Sequence, residues 1–366
     1  MHYLNRMLSR RRFLEVSAFT GGGLCLSGVG ALAQDEIARL YEDAKQEGAV
    51  SYYAGGPIAP HQADIEAFSK EFPGISFDLK TGFSNQLVPP INDQIAAGKL
   101  EADIANLQTI QDIEAWRQAE VLASYRSPNF DAILDTFKEE DGTSVGVHVY
   151  GLCYGYNPNL VAAEDVPKSA PDFLDSKFRG KIISTYPQDD DITLYLYWTI
   201  VDKYGWEYMS ELMKNQPRFI RGHLGIAQEI AAGNAALSFD ASVTTITRAQ
   251  AAGGTIEAAF SQTDPMPIWD NRLCIFKDAP HPNAARLFQT WLLSREHQIA
   301  AGLWSTRRDV EPEGGKFKGI DEYFTAHNFK DFILQPADEL QELRVRFESF
   351  IGPVEGMPVL SAPAKN

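Results

Sequence analysis

The sequence predicts an α/β fold. Strands and helices alternate along most of the chain, and the first units follow one another as βαβαβ, which implies a parallel sheet with helices on both faces. The size agrees: 366 residues, 44% hydrophobic and 11% aromatic, can bury a proper core and suit two domains or one large one.

Asp35 to Glu47 reads as a helix, with Ile37, Leu40, Tyr41 and Ala44 at helical spacing and Gly48 as its stop. Val50 to Ala54 is a strand closed by Gly55-Gly56-Pro57. His61 to Glu71 is a helix with Ile65, Phe68 and Phe72 on one face. Ile75 to Leu79 is the second strand, ended by Thr81-Gly82-Phe83-Ser84. Gln86 to Ala97 is the next helix, begun after two prolines, and Ala102 to Ala105 the third strand. Further on, Gly146 to Tyr156 is a long apolar strand, and Pro167 to Phe178 is polar and turn-rich. Lys181 to Thr185 is a strand running into Tyr186-Pro187-Gln188 and the triple Asp189-Asp190-Asp191. The helix Thr193 to Tyr204 follows. Ala227 to Ala232 is a short helix capped by Gly233-Asn234. Ala235 to Phe239 is a strand ending at Asp240-Ala241-Ser242, Asn271 to Phe276 is another, and Ala284 to Leu293 is a helix.

Residues 1–33 stand apart. Ser9-Arg10-Arg11-Arg12-Phe13-Leu14 precedes a glycine-rich apolar run, Val16 to Leu32, that ends in the small-x-small site Ala31-Leu32-Ala33. That is the form of an export signal, and the paired arginines match the twin-arginine pattern at every defined position. The run is too short and glycine-rich to hold a helix across ~30 Å of hydrocarbon. Cys25 lies within it and does not look like a lipoprotein cleavage box. The expectation is a soluble periplasmic protein, not inserted in the membrane, that is exported already folded. The signal carries Arg6, Arg10, Arg11 and Arg12 against Glu15, so its removal takes the formal net charge from −16 to −19. Such acidity argues against nucleic acid or an anionic lipid surface as partner. The remaining cysteines, Cys153 and Cys274, form no Cys-x-x-Cys or Cys/His cluster, so no structural zinc site is expected. They read first as buried thiols, with a disulfide as the alternative.

Several passages resemble the bacterial extracellular solute-binding proteins of ABC importers, nearest the ferric-iron-binding branch. They are Thr81-Gly82-Phe83-Ser84 with Leu87, Ala102-Asp103-Ile104, Gly151 to Asn157, Phe178-Arg179-Gly180-Lys181-Ile182, and Ala279 to Ala285 continuing to Trp291-Leu292-Leu293-Ser294. The resemblance implies a two-lobed periplasmic-binding-protein fold (type II), with two mixed sheets joined by crossover hinge strands. Lobe 1 would take residues 34–148 and 275–366, and lobe 2 residues 149–274. Cys153 and Cys274 would then lie on neighbouring hinge strands. The implied partners are a small-molecule solute and an ABC permease, with no cofactor and the protein acting as a monomer. One departure matters. The ferric branch binds iron through a Tyr-Tyr pair where this chain has Asp240-Ala241-Ser242-Val243-Thr244, so that mode of iron binding does not carry over.

Open α/β sheets bind ligands beyond the carboxyl ends of their strands. The candidate ligand-binding residues are therefore Tyr53, Gly55, Gly56, Ser84 and Gln108 on one lobe, and Thr185, Tyr186, Asp189, Asp190, Asp240 and Ser242 on the other. A small polar organic solute fits this set. The triple aspartate either caps its helix or turns one carboxylate to the cleft to hold a cation. The alternative function is accordingly a metal-ion binder using His61 and the aspartates, or a polyamine binder. Tyr53, Tyr186 and Trp269 are candidates for an aromatic wall or for the core, and Arg272 and Arg307 for a ligand anion or the surface. No Gly-x-Ser-x-Gly, His-Glu-x-x-His or phosphate-loop motif occurs, so no catalytic residue is named and an enzyme is not expected. An exported hydrolase is the remaining reading, without support from spacing.

Overall fold

The computed structural model describes residues 27–357 except 302, 313–316 and 327. The Arg-Arg motif lies outside the described residues. Helix α1 (Ser27–Glu47) starts upstream of Asp35 and runs through the expected cleavage site. Among the described residues no helix is long and apolar enough to cross a membrane.

Three strand–helix units follow: β1 (Ala49–Gly55), α2 (Ile58–Glu71), β2 (Ser76–Gly82), α3 (Ser84–Ala96), β3 (Ile104–Leu107) and α4 (Ile110–Gln118). Pro89 and Pro90 fall inside α3 rather than before it. Both are exposed, so the Asn85 and Gln86 carbonyls that lose a helical donor face water. The long strand β4 (Val145–Tyr156) leads to β5 (Ile183–Thr185), α5 (Asp191–Tyr204), α6 (Glu207–Lys214), β6 (Arg218–Ile220), α7 (His223–Ala231), β7 (Leu237–Ser242), α8 (Val243–Ala251) and β8 (Glu257–Ala259). The chain returns through β9 (Met266–Ile275) to α9 (Pro282–Leu292), α10 (Arg295–Ala300), β10 (Thr325–Ala326), α11 (Phe329–Ile333) and α12 (Ala337–Ile351).

The strand order is β2-β1-β3-β9-β4-β7. β1 runs parallel to β2 and β3, as the βαβαβ rhythm implies, and the sheet turns antiparallel at β9. β9 and β4 pair antiparallel along most of their length, and β4 then takes β7 and β8 as antiparallel partners. β5 pairs with β6 and touches β7 through the Ile182–Leu237 bridge. The sheets of the two halves are thus continuous through β9 and β4. The first five residues of β9 escape sequence reading because Pro267 breaks the strand pattern; it sits where β9 meets the two-residue strand β10.

Each half has its own aromatic core. Phe68, Phe77, Phe288 and Trp291 interlock edge to face around Tyr52 in the first. In the second, Phe173 meets Tyr154 and Phe239 edge to face, and Tyr197 lies tilted against Phe239. From α12, Phe347 packs on Tyr197 and Trp206, so the C-terminal helix covers the second core.

Cys153 and Cys274 are free and buried. They lie on paired strands, but Leu273 is level with Val145, which sets the thiols on the order of 25 Å apart at ~3.3 Å per residue. Burial pushes both thiols up, Cys274 to about 12.

At a register shift in β4, Gly155 packs so closely that an added Cβ would lie 2.7 Å from the Ala241 Cβ. Gly155→Ala is expected to destabilise the fold by ~1–3 kcal/mol, read as a lowered urea midpoint with unchanged slope. A wild-type midpoint would show that β7 gives way freely here.

Candidate functional site

The order β2-β1-β3 places three strand ends side by side, and side chains join them. Ser84 at the start of α3 accepts a hydrogen bond at Oγ from the Gln108 N–H (3.1 Å), and Gly56 N–H donates to Gly82 O (2.7 Å). Gly55 lies between: a Cβ there would fall 2.4 Å from Ser84 Oγ, so glycine is what allows the close approach. Gln108 is exposed, Gly56 half-buried, and Ser84 nearly covered. Tyr53 belongs elsewhere. It is buried, accepts from Gln94 Nε2 (2.9 Å) and lies under the Lys80 ammonium.

Beneath this rim is a buried network that the sequence did not announce. Asn106 Nδ2 donates to Tyr52 Oη (2.7 Å), Tyr52 Oη lies 3.3 Å from His61 Nδ1, and His61 Nε2 lies 3.1 Å from Gly55 O. A carbonyl can only accept, so Nε2 carries the proton and Nδ1 accepts from tyrosine. Both ring nitrogens are engaged within the protein. Burial pushes the His61 pKa down to about 4, which keeps the ring neutral.

On the other side Asp240 organises the wall. It is fully buried; its Oδ2 accepts from the Thr185 N–H (2.7 Å) and hydroxyl (2.6 Å), and its Oδ1 accepts from Ser238 Oγ. Thr185 is fully buried too, and its hydroxyl also meets that of Thr193. Thr185 and Asp240 therefore spend their polar groups on joining β5, β7 and α5, and they position the wall instead of offering free groups. The Asp240 carbonyl accepts from His223 Nδ1 (2.8 Å), at the start of α7. His223 Nε2 faces Asp190 Oδ2 at 3.6 Å. Burial opposes charge on His223, yet Asp190 and Asp240 outweigh it and push its pKa up to about 9. The same pairing overcomes burial at Asp190 and lowers its carboxyl.

The triple aspartate is likewise spent. Asp189 takes a bidentate pair from Arg221 (2.7 and 2.9 Å). Asp190 caps α5, accepting from the Thr193 N–H at 3.0 Å. Asp191 pairs with Arg344 of α12 and accepts from Gln111 Nε2 of α4 (3.2 Å), a bond between the two halves. Tyr186 is buried against Phe219. Ser242 precedes α8 and makes no side-chain cap bond.

Between the walls, Tyr150 of β4 stacks on Trp269 of β9 (5.4 Å between ring centres), and His223 lies 6.4 Å beyond Trp269. Tyr53, Tyr186 and Trp269 thus each have separate partners and form no common wall. Burial pushes the Tyr150 phenol up to about 12, offset in part by the guanidinium of Arg248. Arg248 of α8 also acts on His61 across the gap. It is exposed and, among the described residues, makes no ion pair. Arg272 and Arg307 are neither ligand-facing nor exposed. Arg272 is buried against Asp270 (2.7 Å) and Glu139, and Arg307 against Asp309 and Leu293 O.

The sequence profile of the family described as "bacterial extracellular solute-binding protein" matches residues 63–313. No curated protein matches. Among solved structures, iron-bound HitA from Pseudomonas aeruginosa is 18% identical with a TM-score of 0.67, over 82% of this chain and 99% of its own. The periplasmic binding protein AfuA from Actinobacillus pleuropneumoniae, with fructose-6-phosphate bound, is 18% identical with a TM-score of 0.66, over 83% and 98%. An ABC-transporter substrate-binding protein from Agrobacterium tumefaciens is 13% identical with a TM-score of 0.68, over 83% and 94%. These likenesses show the fold: two lobes of the type II binding-protein form.

Asp240→Ala leaves the Thr185 N–H and two hydroxyls without their acceptor, and is expected to cost ~2–4 kcal/mol in urea unfolding; a loss within experimental error would mean that water replaces the carboxylate. The raised pKa of His223 makes stability pH-dependent. Its contribution is complete below the unfolded value of ~6.5 and is lost as pH rises through about 9. Unfolding free energy should fall over that window in the wild type, and His223→Gln should remove that part of the slope.

Proposed function

The chain belongs to the bacterial extracellular solute-binding proteins, and we propose that it captures a small polar organic solute bearing an anionic group and hands it to an ABC permease. The solute sits between the Gly55–Ser84–Gln108 rim and the α8 face with Ser242 and Arg248, over the Tyr150–Trp269 floor. The lobes, 34–148 with most of 275–366 and 149–274, close on it by bending at β4 and β9. Closure is favoured only by contacts that improve in the closed form, and Arg248 supplies one from the far wall. Residues 1–33 direct export to the periplasm by the twin-arginine route, and the mature chain acts as a monomer without catalysis.

The observation that carries this reading is the pairing of charges. Asp189, Asp190 and Asp191 each face a basic partner, while Arg248 has none among the described residues. A polyamine or metal cation would have to displace Arg221, His223 or Arg344. His61, the other ligand of the metal alternative, has both nitrogens engaged. The fold itself does not choose, since related structures hold iron in one case and a sugar phosphate in another.

Thermal unfolding of the exported form against organic acids, phosphate esters, sugars, polyamines and metals tests the reading. A cognate solute at a hundred times its Kd adds ~2.7 kcal/mol, a shift of several degrees. Anionic solutes should give the selective shift; one confined to polyamines or Fe³⁺ would sink the reading. Arg248→Met should weaken the bound anion roughly tenfold or more and, as an exposed change, alter unliganded stability by no more than ~0.5 kcal/mol.

A further inference from the structure

A second cluster lies beside the cleft, and the proposal above does not use it. Asp64 on α2, His148 on β4 and His297 on α10 each present a donor atom, all within 4.8 Å of one another. His148 Nε2 is 3.5 Å from Asp64 Oδ2, and His297 Nε2 is 3.7 Å from Asp64 Oδ1. We infer that these three residues form a binding site for a divalent first-row transition metal of the Zn²⁺ type.

Three observations carry the inference. The distances fit: bonds of ~2.0–2.1 Å in a tetrahedral zinc site put ligand atoms ~3.4 Å apart, and one donor atom from each residue already lies within 4.8 Å of the others, with each histidine at 3.5 or 3.7 Å from one of the two Asp64 oxygens. The donors are also unspent. Asp64 Oδ2 and His297 Nε2 are buried without a hydrogen-bond partner, and the His297 side chain is only 9% exposed. Buried polar atoms are ordinarily paired, so two orphans converging from α2 and α10 beside the His148 ring call for an occupant. Finally, the backbone is shaped to deliver one of them. The β4–β9 register shifts between Gly146 and His148, and such bulges re-aim a side chain. Trp291 lies 4.2 Å from the His297 ring and holds it in place.

Two imidazoles and one carboxylate select against Ca²⁺ and Mg²⁺, which take oxygen ligands, and suit Zn²⁺, Co²⁺ or Ni²⁺. Three protein ligands leave a coordination position for water. A metal here would tie the hinge strand β4 to α2 and α10.

The test is calorimetric titration of the chelator-treated protein with Zn²⁺ and with Co²⁺. One equivalent of each is expected, with Asp64→Asn, His148→Ala and His297→Ala each weakening uptake roughly a hundredfold, and Arg248→Met leaving it unchanged. Absence of stoichiometric uptake, or uptake indifferent to both histidine substitutions, would overturn the site. Should the histidine variants fail to fold, proton NMR of the Co²⁺-loaded wild type decides: two paramagnetically shifted imidazole N–H signals support the site, and none refutes it. Solute binding measured with chelator present is a separate readout, so failure of either proposal leaves the other standing.

Discussion

The antiparallel pairing of β4 with β9 is the constraint on which the rest of the molecule depends. It is the ladder that joins the β2-β1-β3 sheet to the β4-β7-β8 sheet, and both strands are covered almost throughout. Burial at this level makes an unpaired polar group costly on either strand, although the Asn271 amide on β9 is buried without a hydrogen-bond partner. The charged groups are paired locally: Arg272 is enclosed by Asp270, Glu139 and the Thr136 carbonyl. The same pairing brings Tyr150 and Trp269 together as a floor and hands the chain to a wall on each side.

Charge in this chain is managed locally. The whole is strongly acidic, with 49 acidic residues against 33 basic ones. Net acidity nonetheless gives little guide to the cleft. Each carboxylate of the triple aspartate is matched by a basic group from a different element: Arg221 before α7, His223 within it, and Arg344 on α12. Asp240 is held differently, by N–H and O–H donors to its carboxylate with the His223 charge close by, and so acts as a joint among β5, β7 and α5. Among the described residues Arg248 makes no ion pair, and in the proposed site its exposed position would let it attract a solute anion without the desolvation that a buried guanidinium would incur.

Much of this architecture is legible along the chain. Helical spacing in Ile65 and Phe68, the apolar run before Tyr156 and the turn at Gly55-Gly56 each report local physics, so the elements and their order follow from sequence. The strand-end rule also selects Gly55, Ser84 and Gln108, which the fold joins through one serine hydroxyl. Less legible are β6, β8, α8 and the first half of β9, which are short or interrupted by proline, and α4, α6 and every element after α9 are likewise not read from the sequence. Arg248 escapes the sequence because α8 is unread, and Tyr150 because the apolar strand that carries it reads as core.

The sequence by itself determined the α/β class, the opening βαβαβ succession, the resemblance to solute-binding proteins and the absence of the tyrosine pair that would hold iron. Those properties reside in short windows, where propensity and periodicity act. Only the tertiary structure decided which polar groups are spent and which are free. Asp189 to Asp191 look like a cation site until Arg221, His223 and Arg344 arrive from tens of residues or more away. Asp64, His148 and His297 look unrelated until a helix, a bulged strand and a second helix bring them within 4.8 Å. Hydrogen bonds and ion pairs act over a few ångströms of space, and sequence separation carries no record of them.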